Sequence, residues 1–310
     1  MQTIDLAIIG SGAAGISAAI YAKRRGLNIK LYERNAEIGG QACNIVLIEN
    51  FPGFASISGS NLCGNFDAQL RHLDVDVENG KEVKGINKSG KEFELEFADG
   101  ARIKSRAVVL ATGTEYAKLN VPGENELLGS GVSYCVVCDG AFFAGKKVAV
   151  VGAGNSGVSA AIYLSEICKE VYIIHNMAEI SAEKIYLHRI EKAPNIKIIL
   201  DSEVAEIAGN GNVEKIKIKN KKTNEFSEIP VDGVFIYAGL CPNAGLARHI
   251  GVQIDERGYI KIDEHCRTSL PGIFAAGDVC GGLRQFTTAV SRGAIAATSA
   301  YEYLRNLKEE

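Results

Sequence analysis

This sequence of 310 residues offers no footing for a polyanion, because its formal net charge is only -3 and no run of five or six like charges occurs. Nucleic acid is therefore not an expected partner. No uninterrupted stretch of 18 apolar residues occurs either, so no membrane-spanning helix and no membrane partner are expected. The apolar start from Leu6 to Ala22 could pass for a signal peptide, but it lacks a basic leader, follows Asp5 and is broken by Gly10, Gly12 and Gly15. Export is not expected. The eight cysteines (43, 63, 135, 138, 168, 241, 266 and 280) include only one closely spaced pair, in a chain too long to need disulfide staples. That usage suits a reducing cytoplasm. A second C-x-x-C and a His-x3-His are both missing, so the cysteine pair lacks the further ligands zinc would need and no metal site is expected.

With 46% apolar and 23% charged residues, the chain can bury a substantial core, and its length favours about two domains. The local pattern supports this division. Asp5 to Ile9 reads as a buried strand, Gly10-Ser-Gly-Ala-Ala-Gly15 as a tight turn, Ile16 to Arg25 as a helix, and Asn28 to Tyr32 as a strand ending at Glu33. The order recurs in Lys147 to Val151, Gly152-Ala-Gly-Asn-Ser-Gly157, Val158 to Ile167 and Glu170 to Ile174, ending at His175. Each copy places its terminal residue 23 positions after its first glycine. Two mononucleotide-binding βαβ units in register are implied. In such a unit the first glycine permits the turn, the second lets backbone N–H groups approach a pyrophosphate, and the third lets helix pack on strand.

A polar alternating stretch, Lys91 to Ile103, reads as a β-meander returning to the strand Ala107 to Leu110, and a comparable segment follows the second copy at Val213 to Ile218 and Glu228 to Ala238. Strand-then-glycine endings occur at 108–113, 234–239 and 272–278, and the third would return the chain to the first domain. The fold class is therefore α/β, with two Rossmann-like, three-layer ββα dinucleotide-binding domains, the second inserted into the first. The expected division is 1–114, 115–242 and 243–310, with glycine at both crossings and Pro242 at the second.

The stretch "SYCVVCDG", residues 133–140, stands just ahead of the second βαβ strand. Two intervening residues let Cys135 and Cys138 open and close a small disulfide ring with little backbone motion, which favours a redox pair over two buried apolar cysteines. Asp139 follows at once. Its carboxylate could deliver and remove the proton that thiol–disulfide exchange requires, or it could serve as a turn or N-cap aspartate.

These pieces together resemble the low-molecular-weight thioredoxin reductases over essentially the whole chain. The resemblance is carried by "GSGAAG", "GGQ" at 39–41, "IENFPGF" at 48–54, "ATG" at 111–113, "GVSYCVVCDG", "GAGNSG", "AGD" at 276–278 and "RQF" at 284–286. It implies that FAD binds the first unit and the C-terminal segment. Gly10, Gly12, Ala13, Ala14 and Gly15 would cradle its pyrophosphate, and Glu33 would accept from the adenosine ribose. Gly40, Gln41 and Asn50, with Thr112 and Gly113, would approach the flavin, while Gly277, Asp278, Arg284, Gln285 and Phe286 would close the site. It further implies that Cys138 lies against the isoalloxazine, that Cys135 attacks the disulfide of thioredoxin or a thioredoxin-like protein, that Asp139 serves as acid and base, and that the protein is a cytoplasmic homodimer.

One departure concerns the electron donor. Family members using NADPH carry H-R-R-x-x-x-R where this chain has His175-Asn-Met-Ala-Glu-Ile-Ser181, so all three arginines are missing. Each charge-assisted contact to a ribose phosphate is worth about 1.5–3 kcal/mol, so losing two weakens binding by roughly 100- to 10,000-fold. No acidic residue stands at the strand end to hold a free 2'-hydroxyl, as NADH enzymes require. The turn itself (Gly152, Gly154, Asn155, Ser156, Gly157) is intact, and His175 could supply one weak contact. NADPH is expected to be a poor donor. NADH bound through its pyrophosphate, reduced ferredoxin, a deazaflavin, or a purely structural second unit all remain compatible with the sequence. An oxygen-dependent dithiol oxidase and a flavin-bound redox sensor are the rival readings. A second departure is Phe286, where the family has a small residue; its ring would either crowd the nicotinamide-facing side of the flavin or simply pack.

Overall fold

The computed structural model describes residues 3–309. The chain opens with β1 (Thr3–Ile9), α1 (Ala13–Arg24) and β2 (Ile29–Tyr32), followed by α2 (Gly59–His72) and β3 (Asp76–Glu78). A meander, β4 (Val83–Ser89) and β5 (Glu92–Phe97), leads into the long β6 (Arg102–Leu110). β7 (Thr114–Tyr116) carries the chain into β8 (Val132–Ser133), the one-turn α3 (Val136–Asp139), β9 (Lys147–Val151), α4 (Asn155–Ser165), β10 (Glu170–Ile174), α5 (Lys184–Ile190) and β11 (Ile196–Ile199). An antiparallel group, β12 (Ser202–Ala208), β13 (Lys215–Asn220) and β14 (Phe226–Pro230), precedes β15 (Gly233–Ile236). The return runs through β16 (Leu240–Pro242), α6 (Gly245–His249), β17 (Ile273–Ala275) and the 24-residue α7 (Phe286–Glu309).

Two compact units result. The first comprises Met1–Cys43, Ile48–Glu115 and Cys241–Glu310, and the second comprises Asn44–Leu47 and Tyr116–Leu240. The chain thus crosses at 115/116 and 240/241, against expected crossings after 114 and 242, and the short piece Asn44–Leu47 clusters with the second unit.

In the first unit the sheet order is β3-β2-β1-β6-β5-β4. β6 is shared along its length: Phe93 to Glu96 of β5 pair antiparallel with its first half, while Ile273 to Ala275 of β17 pair parallel with Val108 to Leu110. Side chains alternate across the sheet, as the period of two demands. Ala107 and Val109 face a core built with α1 and α7, whereas Val108 and Leu110 face one built with the meander residues Ile86, Phe93 and Leu95. The second unit repeats the plan with a parallel sheet β11-β10-β9-β15-β8 and a separate antiparallel sheet β12-β13-β14. Val148 and Val150 pack beneath α4, and Ala149 and Val151 pack toward the antiparallel group. Layers of this kind around a largely parallel sheet are the Rossmann-like α/β architecture.

Both helices that follow the glycine turns begin three residues earlier than expected, at Ala13 and Asn155 instead of Ile16 and Val158. The reason is that Gly12 and Gly154 are themselves the N-caps, with extended backbone, so the last residues of each turn form the first helical turn. Among the described residues no helix is long and apolar enough to cross a membrane.

Candidate functional site

In the second unit, Cys135 and Cys138 form a disulfide with their Cα atoms 5.3 Å apart. Cys135 ends an extended stretch and caps α3, so that the Cys138 N–H points at its sulfur at 3.1 Å. Such a donor favours a thiolate at Cys135 once the ring opens. Cys138 is exposed and Cys135 half-buried. Asp139 follows on the same turn, where its Oδ2 accepts from the buried Ser133 hydroxyl at 2.6 Å and its N–H donates to the Cys135 carbonyl at 3.1 Å. Ser133 also accepts from the Cys135 N–H at 2.9 Å. The Asp139 carboxylate is thus held by a hydroxyl and does not act as the cap of α3, a place Cys135 takes.

Behind the dithiol, the Val136 N–H donates to the Tyr237 hydroxyl at 3.2 Å. Tyr237 stacks edge-on against Tyr116, which in turn stacks on Tyr134. The Tyr134 hydroxyl donates to the buried Glu124, whose oxygens also accept from Leu119 and Asn120 N–H groups. Burial and the Glu124 carboxylate push the Tyr134 phenol well above its usual range, so it remains a donor. Ser133 and Tyr237 lie within stretches named above, but their contacts with Asp139 and Val136 are not written in those motifs.

The first glycine turn has the sterics of a nucleotide cradle. A Cβ at Gly10 would overlap the Ala111 carbonyl, and one at Gly15 would overlap the Gly10 carbonyl, so both glycines are needed for strand, turn and helix to meet. A Cβ at Gly12 would meet nothing within 4 Å. That open face lies at the start of α1, whose N-cap offers no side-chain bond to the first N–H groups, including those of Ala13 and Ala14. Free donors on an open face suit a pyrophosphate. Glu33, 5% exposed, accepts from the Ser11 N–H at 2.9 Å and hydroxyl at 2.6 Å and, through its other oxygen, from the Asn35 N–H at 2.9 Å. Ser11, unremarked in the sequence, therefore fixes the expected ribose-binding acid.

The remaining expected cofactor residues gather in the same unit. A Cβ on Gly40 would stand 3.4 Å from Gly12 Cα, and one on Gly277 would stand 2.8 Å from Ala14 Cβ. The Gln41 amide donates to Thr114, the Asn50 amide to Gln285 at 3.1 Å, and the Thr112 hydroxyl to the Asn243 carbonyl at 2.7 Å. Gly113 turns with φ +62° and accepts from the Asn243 N–H at 3.0 Å. Burial pushes the Asp278 carboxyl up, opposed by Arg284 and by Arg292, which stands in no recognised motif. Arg284 donates to the Tyr259 hydroxyl at 3.0 Å. The Phe286 ring is buried with Ile48 and Leu62, 5.9 Å from Phe51 and 6.5 Å from Phe66.

The second glycine turn repeats the first turn's packing, with Cβ atoms at Gly152 and Gly157 overlapping the Tyr237 and Gly152 carbonyls. Its surroundings differ. The Asn155 amide donates to Glu183 at 2.7 Å and accepts from the Glu183 N–H at 2.8 Å, while Ser181 returns its N–H to the Ala153 carbonyl at 3.1 Å. The segment after β10 is thus tied down on the turn by its own bonds, with Ser156, Asn176, Met177 and Ser181 exposed. His175 is 8% exposed; burial lowers its pKa, and its Nε2 has no partner among the described residues. Lys221 reaches this segment, donating to the Asn176 carbonyl at 3.2 Å.

The chain matches the family model described as pyridine nucleotide-disulphide oxidoreductase over residues 4–293. It is 42% identical over 307 residues to a thioredoxin reductase of Listeria monocytogenes, covering 98% of this chain and 95% of that protein. Among solved structures it superposes on the thioredoxin reductase of T. acidophilum with TM-score 0.93 and 41% identity, covering 97% and 99% of the two chains. It superposes on the Lactococcus lactis thioredoxin reductase with TM-score 0.94 and 40% identity, covering 98% and 99%.

Proposed function

This chain belongs to the pyridine nucleotide-disulphide oxidoreductase family, among the low-molecular-weight thioredoxin reductases, and on that premise we propose that it reduces the disulfide of thioredoxin or a thioredoxin-like protein through Cys135 and Cys138, with electrons reaching FAD from a donor other than NADPH. The observation that carries the reading is the Cys135–Cys138 disulfide itself, with Cys138 exposed, a backbone N–H aimed at the Cys135 sulfur, and Asp139 held on the same turn. FAD, when bound, supplies the two-electron carrier between donor and dithiol.

In this reading the N–H groups of Gly12, Ala13, Ala14 and Gly15 hold the pyrophosphate, Glu33 the adenosine ribose, and Gly40, Gln41, Asn50, Asp278, Arg284 and Gln285 the flavin end. After the ring opens, Cys135 is the sulfur better stabilised as thiolate, and it attacks the partner's disulfide. Cys138 then displaces the reduced partner by re-forming the ring. Asp139 carries the proton that the released thiolate takes up, and Ser133 keeps its carboxylate within reach.

The donor assignment rests on the segment after β10. Asn176, Met177 and Ser181 stand where three guanidinium groups would be, and Ser181 and Glu183 fold back on the glycine turn. Lost phosphate contacts of this kind cost roughly 100- to 10,000-fold in affinity. The resemblance also favours a cytoplasmic homodimer.

The test is anaerobic titration of the purified yellow protein with NADPH, NADH, reduced ferredoxin and a reduced deazaflavin, followed by flavin absorbance, with Cys135→Ser and Cys138→Ser alongside. Rapid bleaching by micromolar NADPH overturns the donor assignment. Retained thioredoxin reduction in both serine variants overturns the dithiol assignment.

A further inference from the structure

We propose that Cys43 and Cys63 are a second redox-active dithiol, in the first unit, which closes to a disulfide on reaction with a peroxide. Cys43 stands on the 3-10 turn Gly40–Asn44 and Cys63 on α2, twenty residues apart in the chain. Between them lies Gly39, whose φ of +108° favours glycine. A Cβ there would stand 2.3 Å from the Cys43 sulfur and 2.4 Å from the Cys63 sulfur, so the two sulfurs are at most 4.7 Å apart, the sum of those distances. The missing side chain of Gly39 is what lets the sulfurs meet.

Their surroundings divide the labour. Cys43 is half-buried and its S–H lies 3.2 Å from the Ile38 carbonyl, whereas Cys63 is 5% exposed. The neighbouring Cys63 thiol holds the Cys43 thiol below its usual range, while that same neighbour and burial push Cys63 up. Cys43 is thus the reactive sulfur and Cys63 the resolving one.

The chemistry balances. The Cys43 thiolate attacks one peroxide oxygen, the O–O bond breaks, Cys43 becomes a sulfenic acid, and the other oxygen leaves as an alcohol, or as water for hydrogen peroxide, after taking a proton. Cys63 then attacks the sulfenic sulfur, the S–O bond breaks, the S–S bond forms, and water leaves. Two thiols lose two electrons and the peroxide gains them.

The location gives the bond a consequence. The Gly39 N–H donates to the Ser11 carbonyl at 2.9 Å, Ser11 holds Glu33, and Gly40 lies against Gly12. A Cys43–Cys63 disulfide therefore pins the loop that walls the glycine cradle onto α2.

The experiment treats reduced, flavin-loaded wild-type protein with hydrogen peroxide, blocks remaining thiols, and maps peptides without reductant. The expected product is a linked Cys43–Cys63 peptide, with Cys43 lost about tenfold faster than the exposed Cys241. In Cys63→Ala the sulfenic acid should persist on Cys43 and be trapped by dimedone. Full blocking of Cys43 and Cys63 as free thiols after peroxide, with no linked peptide, overturns the proposal, as does a dimedone adduct on Cys63 instead of Cys43 in the wild type.

Discussion

The Ser133 hydroxyl donates to Asp139 Oδ2 at 2.6 Å, across the turn that bears the disulfide. The bond fixes the carboxyl group on the turn that carries the cysteines. Asp139→Asn should lower thioredoxin-type disulfide reduction by roughly 100-fold or more, the usual worth of a positioned acid–base group. Ser133→Ala should cost about tenfold, since the carboxyl group loses the hydrogen bond that positions it, a bond worth about 1.5–3 kcal/mol where the acceptor is charged. Steady-state turnover from pH 5 to 9 checks both, with anaerobic flavin reduction by the donor expected to stay unchanged. Wild-type turnover in Ser133→Ala would remove the positioning role of Ser133, and wild-type turnover in Asp139→Asn the acid–base role of Asp139.

Gly12 and Gly15 make opposite demands on an added methyl group. At Gly15 it overlaps the Gly10 carbonyl, so Gly15→Ala should separate α1 from β1 and lower the melting temperature of the protein even without cofactor. At Gly12 it meets no protein atom within 4 Å, so Gly12→Ala should fold normally and bind FAD poorly, because the methyl occupies the cradle. Thermal melts of flavin-free protein, paired with the flavin-to-protein absorbance ratio, separate the two effects. Equal melting losses at both positions would contradict the open face at Gly12.

What could be read from the sequence divides along one physical line. Gly10, Gly15, Gly152 and Gly157 were legible because a backbone approach that excludes Cβ leaves glycine as the only residue type, and the two cysteines because exchange chemistry demands their spacing. Core strands such as β1 and β9 were legible from continuous apolar runs. The partners were not. Ser11 holding Glu33, Ser133 holding Asp139, Glu183 clasping Asn155 and Cys43 meeting Cys63 are tertiary contacts between ordinary residues, and no periodicity marks them. The packing of Phe286 on Phe51 and Phe66 was hidden for the same reason, since no local pattern marks it.

The absent arginines can be put back. Asn176 and Met177 are exposed, and so is Ser181, close to Gly154. The triple variant Asn176→Arg, Met177→Arg, Ser181→Arg should bring NADPH binding down in Kd by about 100-fold or more, as two recovered phosphate contacts require. NADH binding should hardly change, because it has no 2'-phosphate to engage. Rapid-mixing measurements of flavin bleaching against each nucleotide give the comparison. An equal gain for both nucleotides would mean that the arginines act on the pyrophosphate and leave the 2'-position unread.

Asp278 supplies a pH dependence of known sign. Burial raises its carboxyl above the ordinary 3.8, with Arg284 and Arg292 opposing the shift only in part. The folded chain therefore holds this proton more tightly than the unfolded one, and the stability it contributes is present below about 3.8 and lost as pH rises through the raised value. Flavin-free wild-type protein should accordingly lose stability relative to Asp278→Asn as pH climbs from about 4 toward neutrality, and the variant should be the more stable at pH 7. The same variant should retain FAD less well, because the carboxylate is kept where it costs stability only if a ligand uses it. Denaturant unfolding of both flavin-free proteins across that range, followed by flavin retention on gel filtration, decides the matter. If Asp278→Asn proves less stable than wild type at pH 7 without flavin, the buried carboxylate is satisfied by the protein alone and is not waiting for a cofactor.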